Sequence, residues 1–153
     1  MNKILLKRKG ELGFNLIELM IVMAIIGILL AVGITGYRVA IRSANETAAA
    51  QSLANIRTAQ LNFNSKYKRF AQNFDELVEK MEFDDKFKGD KALVNGYEFT
   101  MVATEPAPNS PAFYSVNADP QDQAGRHFYI DSTLTTIRVS DEERPARKDD
   151  KAL

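Results

Sequence analysis

GFNLIELMIVMAIIGILLAVGITG, residues 13–36, is the apolar stretch that decides how this chain folds. From Leu19 to Gly36 it contains no charged residue and consists almost entirely of aliphatic, Met, Ala and Gly residues. At about 1.5 Å per residue, a helix over 14–36 spans about the thickness of a bilayer's hydrocarbon core. The stretch therefore predicts a transmembrane helix.

The residues that precede this helix are basic. Residues 1–13 carry Lys3, Lys7, Arg8 and Lys9 against a single acidic side chain. A basic segment on one side of an apolar span keeps that side in the cytoplasm. Residues 37–153 are therefore predicted to lie outside the cytoplasm.

Glu18 is the one charged residue inside the predicted span. A carboxylate at mid-bilayer costs about 3 kcal/mol, so it implies a partner or a function. A secretory signal peptide cut near residues 31–33 would have a shorter apolar core without a charge. A plain single-pass anchor explains the span but neither Glu18 nor Gly13 directly before it.

GFNLIE, residues 13–18, resembles the processing and assembly motif of type IV prepilins, and the likeness extends over residues 13–34. The resemblance implies that a membrane-embedded prepilin peptidase cuts between Gly13 and Phe14, and that the new N-terminal residue, Phe14, is then N-methylated. It also implies that Glu18 pairs with the Phe14 amine of a neighbouring subunit and sets the register of assembly.

The charges of the chain are compatible with such a cleavage. Taking the leader's four basic residues and one acidic residue from the chain's 20 and 20 leaves 16 against 19, a net charge of −3. The freed amine of Phe14 is cationic near neutral pH. An amine and a buried carboxylate on neighbouring helices can neutralise each other, and breaking such a pair costs about 3–5 kcal/mol. The mildly acidic mature chain gives no reason to expect a nucleic-acid site.

The helical pattern continues beyond the apolar stretch. Residues 37–70 contain no Pro or Gly, and apolar or tolerant side chains recur in steps of three and four, which predicts an amphipathic helix. The whole helix would be about 50 residues long. Its predicted buried face consists of Ala49, Leu53, Ile56, Gln60, Phe63, Tyr67 and Phe70.

The remainder of the chain predicts a small sheet domain. Asn73 and the acids after it indicate a short helix over 74–81. Four alternating segments between residues 96 and 140 predict an antiparallel β-meander that covers the helix face. Residues 141–153 are mostly charged and predict a disordered polar tail. The fold class is thus α+β, a long helix on a sheet of about four strands, and 96–140 loosely resembles the globular half of short type IV pilins.

No catalytic, metal or cofactor site stands out. The chain has no Cys, and its one His, His127, fits a satisfied strand residue better than a ligand. The acidic pairs Asp84–Asp85 and Asp149–Asp150 lie in charged stretches and read as solvated surface. Five aromatic residues at helical spacing suggest core packing rather than an electron path. These residues are Tyr37, Phe63, Tyr67, Phe70 and Phe74. The sequence predicts a protein that is not an enzyme.

The resemblance implies a type IV pilin, type IVa-like and either major or minor. Its precursor would sit in the inner membrane with a cytoplasmic leader and a periplasmic globular domain. Its expected partners are prepilin peptidase, the assembly platform and ATPase, and further copies of itself in a surface pilus for adhesion, twitching motility or DNA uptake. A pseudopilin of a type II secretion system shares the N-terminal motif, and a membrane-tethered periplasmic module that never polymerises is the alternative from another class.

Overall fold

The computed structural model describes residues 14–89 and 91–153, except for the side chain of Thr35. Helix α1 spans Leu16–Tyr67 and helix α2 spans Phe74–Met81, followed by a 3-10 turn at Asp85–Phe87. The strands are β1 (Lys91–Val94), β2 (Tyr97–Thr104), β3 (Phe113–Pro120), β4 (His127–Asp131), β5 (Arg138–Ser140) and β6 (Lys151–Ala152). The chain divides into two compact units, of which the first ends at Val39 and the second is Ala40–Leu153.

The six strands form one sheet in the order of the sequence, each antiparallel to the next. This arrangement confirms the α+β class, with a long N-terminal helix and an antiparallel meander. The expected number of about four strands is wrong, because β1 and β6 extend the meander at its two edges. β1 has four residues, the shortest length at which alternation indicates a strand, and β6 has only two, so neither gives a strong strand pattern in the sequence.

A two-residue turn joins β1 to β2. Asn95 and Gly96 both have positive φ, 50° and 74°, and Val94 pairs directly with Tyr97, which is the geometry of a type I′ hairpin. A Cβ on Gly96 would stand 3.2 Å from Nδ2 of Asn45 on α1, so glycine also keeps the turn close to the helix. The strand before this turn was not predicted from the sequence.

The core lies between the second half of α1 and the inner face of the sheet. Ala49, Leu53, Ile56 and Phe63 on the helix are buried, as the predicted face requires. They belong to one cluster with the inward side chains of the sheet, which include Phe99, Tyr114, Val116, Phe128 and Ile130. Each Val, Leu, Ile or Phe side chain in this cluster contributes about 1.5–3 kcal/mol when it leaves water. The last two positions of the predicted face depart from the prediction. Tyr67 is the last residue of α1 and stays 38% exposed, and Phe70 is buried but lies beyond the end of the helix.

One polar residue is buried with this face. Gln60 is fully buried, and its amide oxygen accepts from the backbone N–H of Ala71 at 2.9 Å, while its Nε2 donates to the carbonyl of Ala71 at 3.1 Å. Nε2 also lies 3.0 Å from Sδ of Met101 on β2. The side-chain amide of Gln60 therefore pairs with the backbone of Ala71 as a neighbouring β-strand would. These two hydrogen bonds link the connection between α1 and α2 to α1.

An ion cluster fixes the start of α2. Asn73 caps the helix by accepting from the N–H of Glu76 at 2.9 Å. The carboxylate of Glu76 accepts from Arg69 (2.9 Å to Nη1), from Lys80 at 2.6 Å and from the N–H of Gln72 at 2.9 Å. The hydrogen bond from Arg69 has the largest effect on the pKa of Glu76. Together with the bonds from Lys80 and Gln72 it outweighs the effect of burial and lowers this pKa to about 2.

Replacing Glu76 with Gln is expected to lower the free energy of unfolding by about 2 kcal/mol near neutral pH. Because the pKa of Glu76 is depressed in the folded chain, its contribution is present above its ordinary value of 4.5 and is lost as the pH falls towards about 2. Urea unfolding of the detergent-solubilised chain, repeated from neutral to acidic pH, measures this. Glu79→Gln, an exposed change on the same helix, should have little effect. A difference between wild type and Glu76→Gln that stays constant with pH would contradict the assignment.

The C-terminal residues correct a second prediction. Residues 141–153, predicted as a disordered tail, fold back so that Val139 pairs with Lys151 and Arg138 with Ala152. Ala146 is buried, and Nδ2 of Asn117 donates to its carbonyl at 2.9 Å. The segment is ordered by ion pairs and backbone bonds rather than by apolar side chains, so its polar composition gave no sign of order.

Candidate functional site: the N-terminal helix

Glu18 takes part in the N-terminal cap of its own helix. Asn15 precedes the first residue of α1, and its Oδ1 accepts from the N–H of Ile17 at 3.4 Å. Oε2 of Glu18 accepts from the backbone N–H of Asn15 at 3.0 Å. Two otherwise unpaired backbone donors are thus satisfied reciprocally, which is a capping box with Asn in the first position. The carboxylate also lies in the first turn, where the helix dipole favours a negative charge.

The capping box shows how Glu18 can be tolerated before any partner arrives. One carboxylate oxygen is used within the chain, and among residues 14–89 and 91–153 no donor binds the other, Oε1. The spacing Asn15-x-x-Glu18 before an apolar run is the local sequence signal for this cap. The same carboxylate can therefore cap α1 and still accept a further donor.

The predicted processing residues lie at the start of the described chain. Gly13 lies outside the described residues, so the geometry of the proposed cleavage bond is not part of this structure. Phe14 is described and its side chain is 84% exposed. The structure brings Phe14, Asn15 and Glu18 into one short segment, as their sequence spacing requires.

The apolar part of α1 is exposed along its whole length in the first unit. The helix contains a window of 18 residues with a mean hydropathy of 2.8, long and apolar enough to cross a membrane, and none of that window is buried. Side chains such as Met20, Ile28 and Leu30 are more than half exposed. Tyr37, predicted to belong to a core, is also exposed. An apolar surface of this extent needs a lipid or protein environment.

Three of the other candidate residues, His127, Asp84 and Asp150, have structural partners. Nδ1 of His127 lies 2.6 Å from Oδ1 of Asp119 across β3 and β4, which agrees with a satisfied strand residue. Asp84 accepts from the N–H of Lys86, and Asp150 accepts from Arg144 at 2.7 Å. In the described part of the chain, no group of three or more His, Cys, Asp or Glu side chains could hold a metal ion.

A buried carboxylate that was not singled out closes the turn after β4. Asp131 accepts from the N–H groups of Thr133 and Leu134, from the Thr133 hydroxyl and from the Tyr129 hydroxyl. Burial acts to raise the pKa of Asp131, but these hydrogen bonds outweigh it and lower the pKa below its ordinary value. Its role is to fix the turn that leads into β5, because every donor comes from the same hairpin.

Comparison with known families adds evidence from the sequence of the N-terminal segment. The family model described as the prokaryotic N-terminal methylation motif matches residues 8–34. No curated protein and no solved structure matches the chain. The motif supports a type IV pilin-like protein, a precursor of a pilin or pseudopilin that is structural in character. It implies processing by prepilin peptidase and use of the pilus assembly machinery in general, and with the apolar helix it fits an inner-membrane precursor.

Proposed function

We propose that this chain is the structural subunit of a type IV pilus. Its precursor would be cut between Gly13 and Phe14, N-methylated at Phe14, and polymerised through α1 into a surface filament. The observation that carries the proposal is that a methylation motif leads directly into an apolar helix that is exposed throughout the first unit. Such a surface suits lipid before assembly and neighbouring copies of the same helix afterwards.

The glycines of the apolar stretch support close contact between helices. A Cβ added to Gly27, Gly33 or Gly36 would meet no atom within 4 Å in the described chain. Packing inside one subunit therefore does not require glycine at these positions, although each lowers helix stability by about 1 kcal/mol relative to Ala. Small residues allow the backbones of neighbouring helices to approach, which is a reason to keep them in a bundle.

The pairing of Glu18 with the Phe14 amine of a neighbour completes the proposal. Oε1 of Glu18 has no donor among the described residues, and the cleaved chain would supply a cation at the start of each helix. In an apolar bundle this pair would neutralise both charges, and only one axial register would bring them together. The globular domain would then coat the filament, and adhesion, twitching motility or DNA uptake would follow from its surface.

Intact-mass and N-terminal analysis of protein sheared from the cell surface tests the proposal. We expect a chain that begins at Phe14 and carries one added methyl group. Correct processing without any filament in the sheared fraction would favour a pseudopilin. An uncut chain found only in membranes would favour a tethered module, and a soluble chain beginning near residue 34 would indicate an ordinary signal peptide.

A further inference from the structure

A cluster of ion pairs centred on Arg144 holds the C-terminal strap, the name used here for residues 141–153. Nη1 and Nη2 of Arg144 donate to the two oxygens of Asp150 at 3.0 and 2.7 Å, and Nε donates to Glu142 at 2.7 Å. The N–H of Arg147 adds a bond to Asp150 at 2.7 Å. A two-point Arg–carboxylate pair of this kind is stronger and more specific than a single contact.

A second ion pair joins the two ends of the strap. Lys151 in β6 binds Asp141, which directly follows β5. The segment between them is therefore a loop closed at its base by one pair and braced inside by the Arg144 cluster. The hydrogen bonds from Arg144 and Arg147 lower the pKa of Asp150 to about 2, so this carboxylate is ionised near neutral pH.

Apolar burial contributes little to holding the strap in place. Of its apolar side chains only Ala146 is buried, both residues of β6 are exposed, and Leu153 is 55% exposed. Burying one alanine side chain is worth far less than burying the leucines and phenylalanines of the core. The pair between Lys151 and Asp141 at the base of the strap is exposed, and exposed ion pairs weaken as salt rises, whereas apolar contacts do not.

The strap covers a sheet edge that would otherwise be open. β5 pairs with β4 on one side and only with the two-residue β6 on the other, and the N–H of Leu153 donates to the carbonyl of Ile137 at 2.9 Å. An uncovered strand edge is a template for pairing with another chain.

We infer that the strap is a releasable cover: its ion pairs keep the edge of β5 shielded, and raising the salt concentration opens the strap and exposes that edge. The mechanism operates within residues 40–153. It does not depend on cleavage at Gly13 or on filament formation.

Hydrogen exchange of the full-length chain in detergent micelles tests the inference. Arg144→Gln is expected to speed amide exchange at least about tenfold in peptides covering 137–140 and 151–153, without changing β2 and β3. Wild type in about 0.5 M NaCl should shift in the same direction. Lys88→Gln, which removes an exposed pair with Asp85 elsewhere, should behave as wild type.

A charge swap separates the ion pair from side-chain size. The double variant Arg144→Asp with Asp150→Arg should recover part of the lost protection, whereas Asp150→Arg alone should not. Unchanged exchange in Arg144→Gln, or faster exchange in every strand, would overturn the inference.

Discussion

Replacing Glu18 with Gln is expected to reduce the filament sheared from cells by at least about tenfold, while the precursor remains in the inner membrane at the wild-type level. The proposed pair between Glu18 and the Phe14 amine would be buried in a bundle of apolar helices. Removing one partner leaves the other charge unpaired in a medium of low dielectric, at a cost of about 3–5 kcal/mol per subunit. Since about 1.4 kcal/mol is a tenfold change in an equilibrium constant, this cost exceeds what a tenfold loss requires.

Glutamine is the informative substitution because it preserves the capping box. Oε2 of Glu18 accepts from the N–H of Asn15, and the amide oxygen of Gln can accept the same bond. Glu18→Gln therefore removes the charge and keeps the cap. Asn15→Ala does the opposite, since it removes the bond from the N–H of Ile17 and leaves the carboxylate. We expect Asn15→Ala to retain most of the filament and to cost about 1 kcal/mol of helix stability.

A leader variant supplies the matched control for Glu18. Glu11→Gln removes a carboxylate that lies seven residues upstream, in the part of the chain that the proposed cleavage discards. It should leave the filament unchanged. Wild-type amounts of filament from Glu18→Gln would contradict the register role, and an equal loss from Asn15→Ala, which keeps the carboxylate, would show that the loss does not report the charge of Glu18. Quantitative immunoblots of sheared and membrane fractions distinguish these outcomes.

The parts of the fold that the sequence predicted correctly are those set by local pattern. Helix α2 falls on residues 74–81 because Asn73 and the acids after it are a cap read directly from the chain. The buried stripe of Leu53, Ile56 and Phe63 follows from helical spacing alone. The apolar segment is equally local, since length and composition suffice to recognise it.

The parts that were missed depend on pairing between two segments and not on the residue pattern within one segment. Strand β1 has only four residues next to a charged stretch, and its pairing with β2 is what makes it a strand. Strand β6 has two residues, and it is ordered by β5 and by the pair between Lys151 and Asp141. Composition predicts disorder for such a segment because it counts apolar residues and cannot count ion pairs.

Gln60 is a polar residue whose role in the fold cannot be inferred from its residue type. On a helical wheel it falls on the apolar face and reads as a tolerated polar residue. In the structure it is fully buried, and both ends of its amide bind Ala71, eleven residues later. A helical pattern cannot specify that partner, because the chain has already left the helix when it reaches Ala71.

Replacing Gln60 with Leu is therefore expected to lower the free energy of unfolding by about 3–4 kcal/mol, although Leu is apolar and similar in size. The change leaves the N–H and the carbonyl of Ala71 buried without the amide that satisfies them, and each such group costs about 1–3 kcal/mol. The gain from an apolar side chain offsets only part of this cost. Gln51→Leu, an exposed change on the same helix, should shift stability by less than about 0.5 kcal/mol.

Urea unfolding of the detergent-solubilised chain, followed by tyrosine fluorescence, measures both variants, and hydrogen exchange locates the loss. The residues between α1 and α2 should lose protection first in Gln60→Leu, since the amide is their link to the helix. A Gln60→Leu variant as stable as Gln51→Leu would contradict the bridging role. It would mean that the connection between the helices is held by the burial of Phe70 and Phe74 alone, and that a polar atom on the apolar face of α1 is incidental.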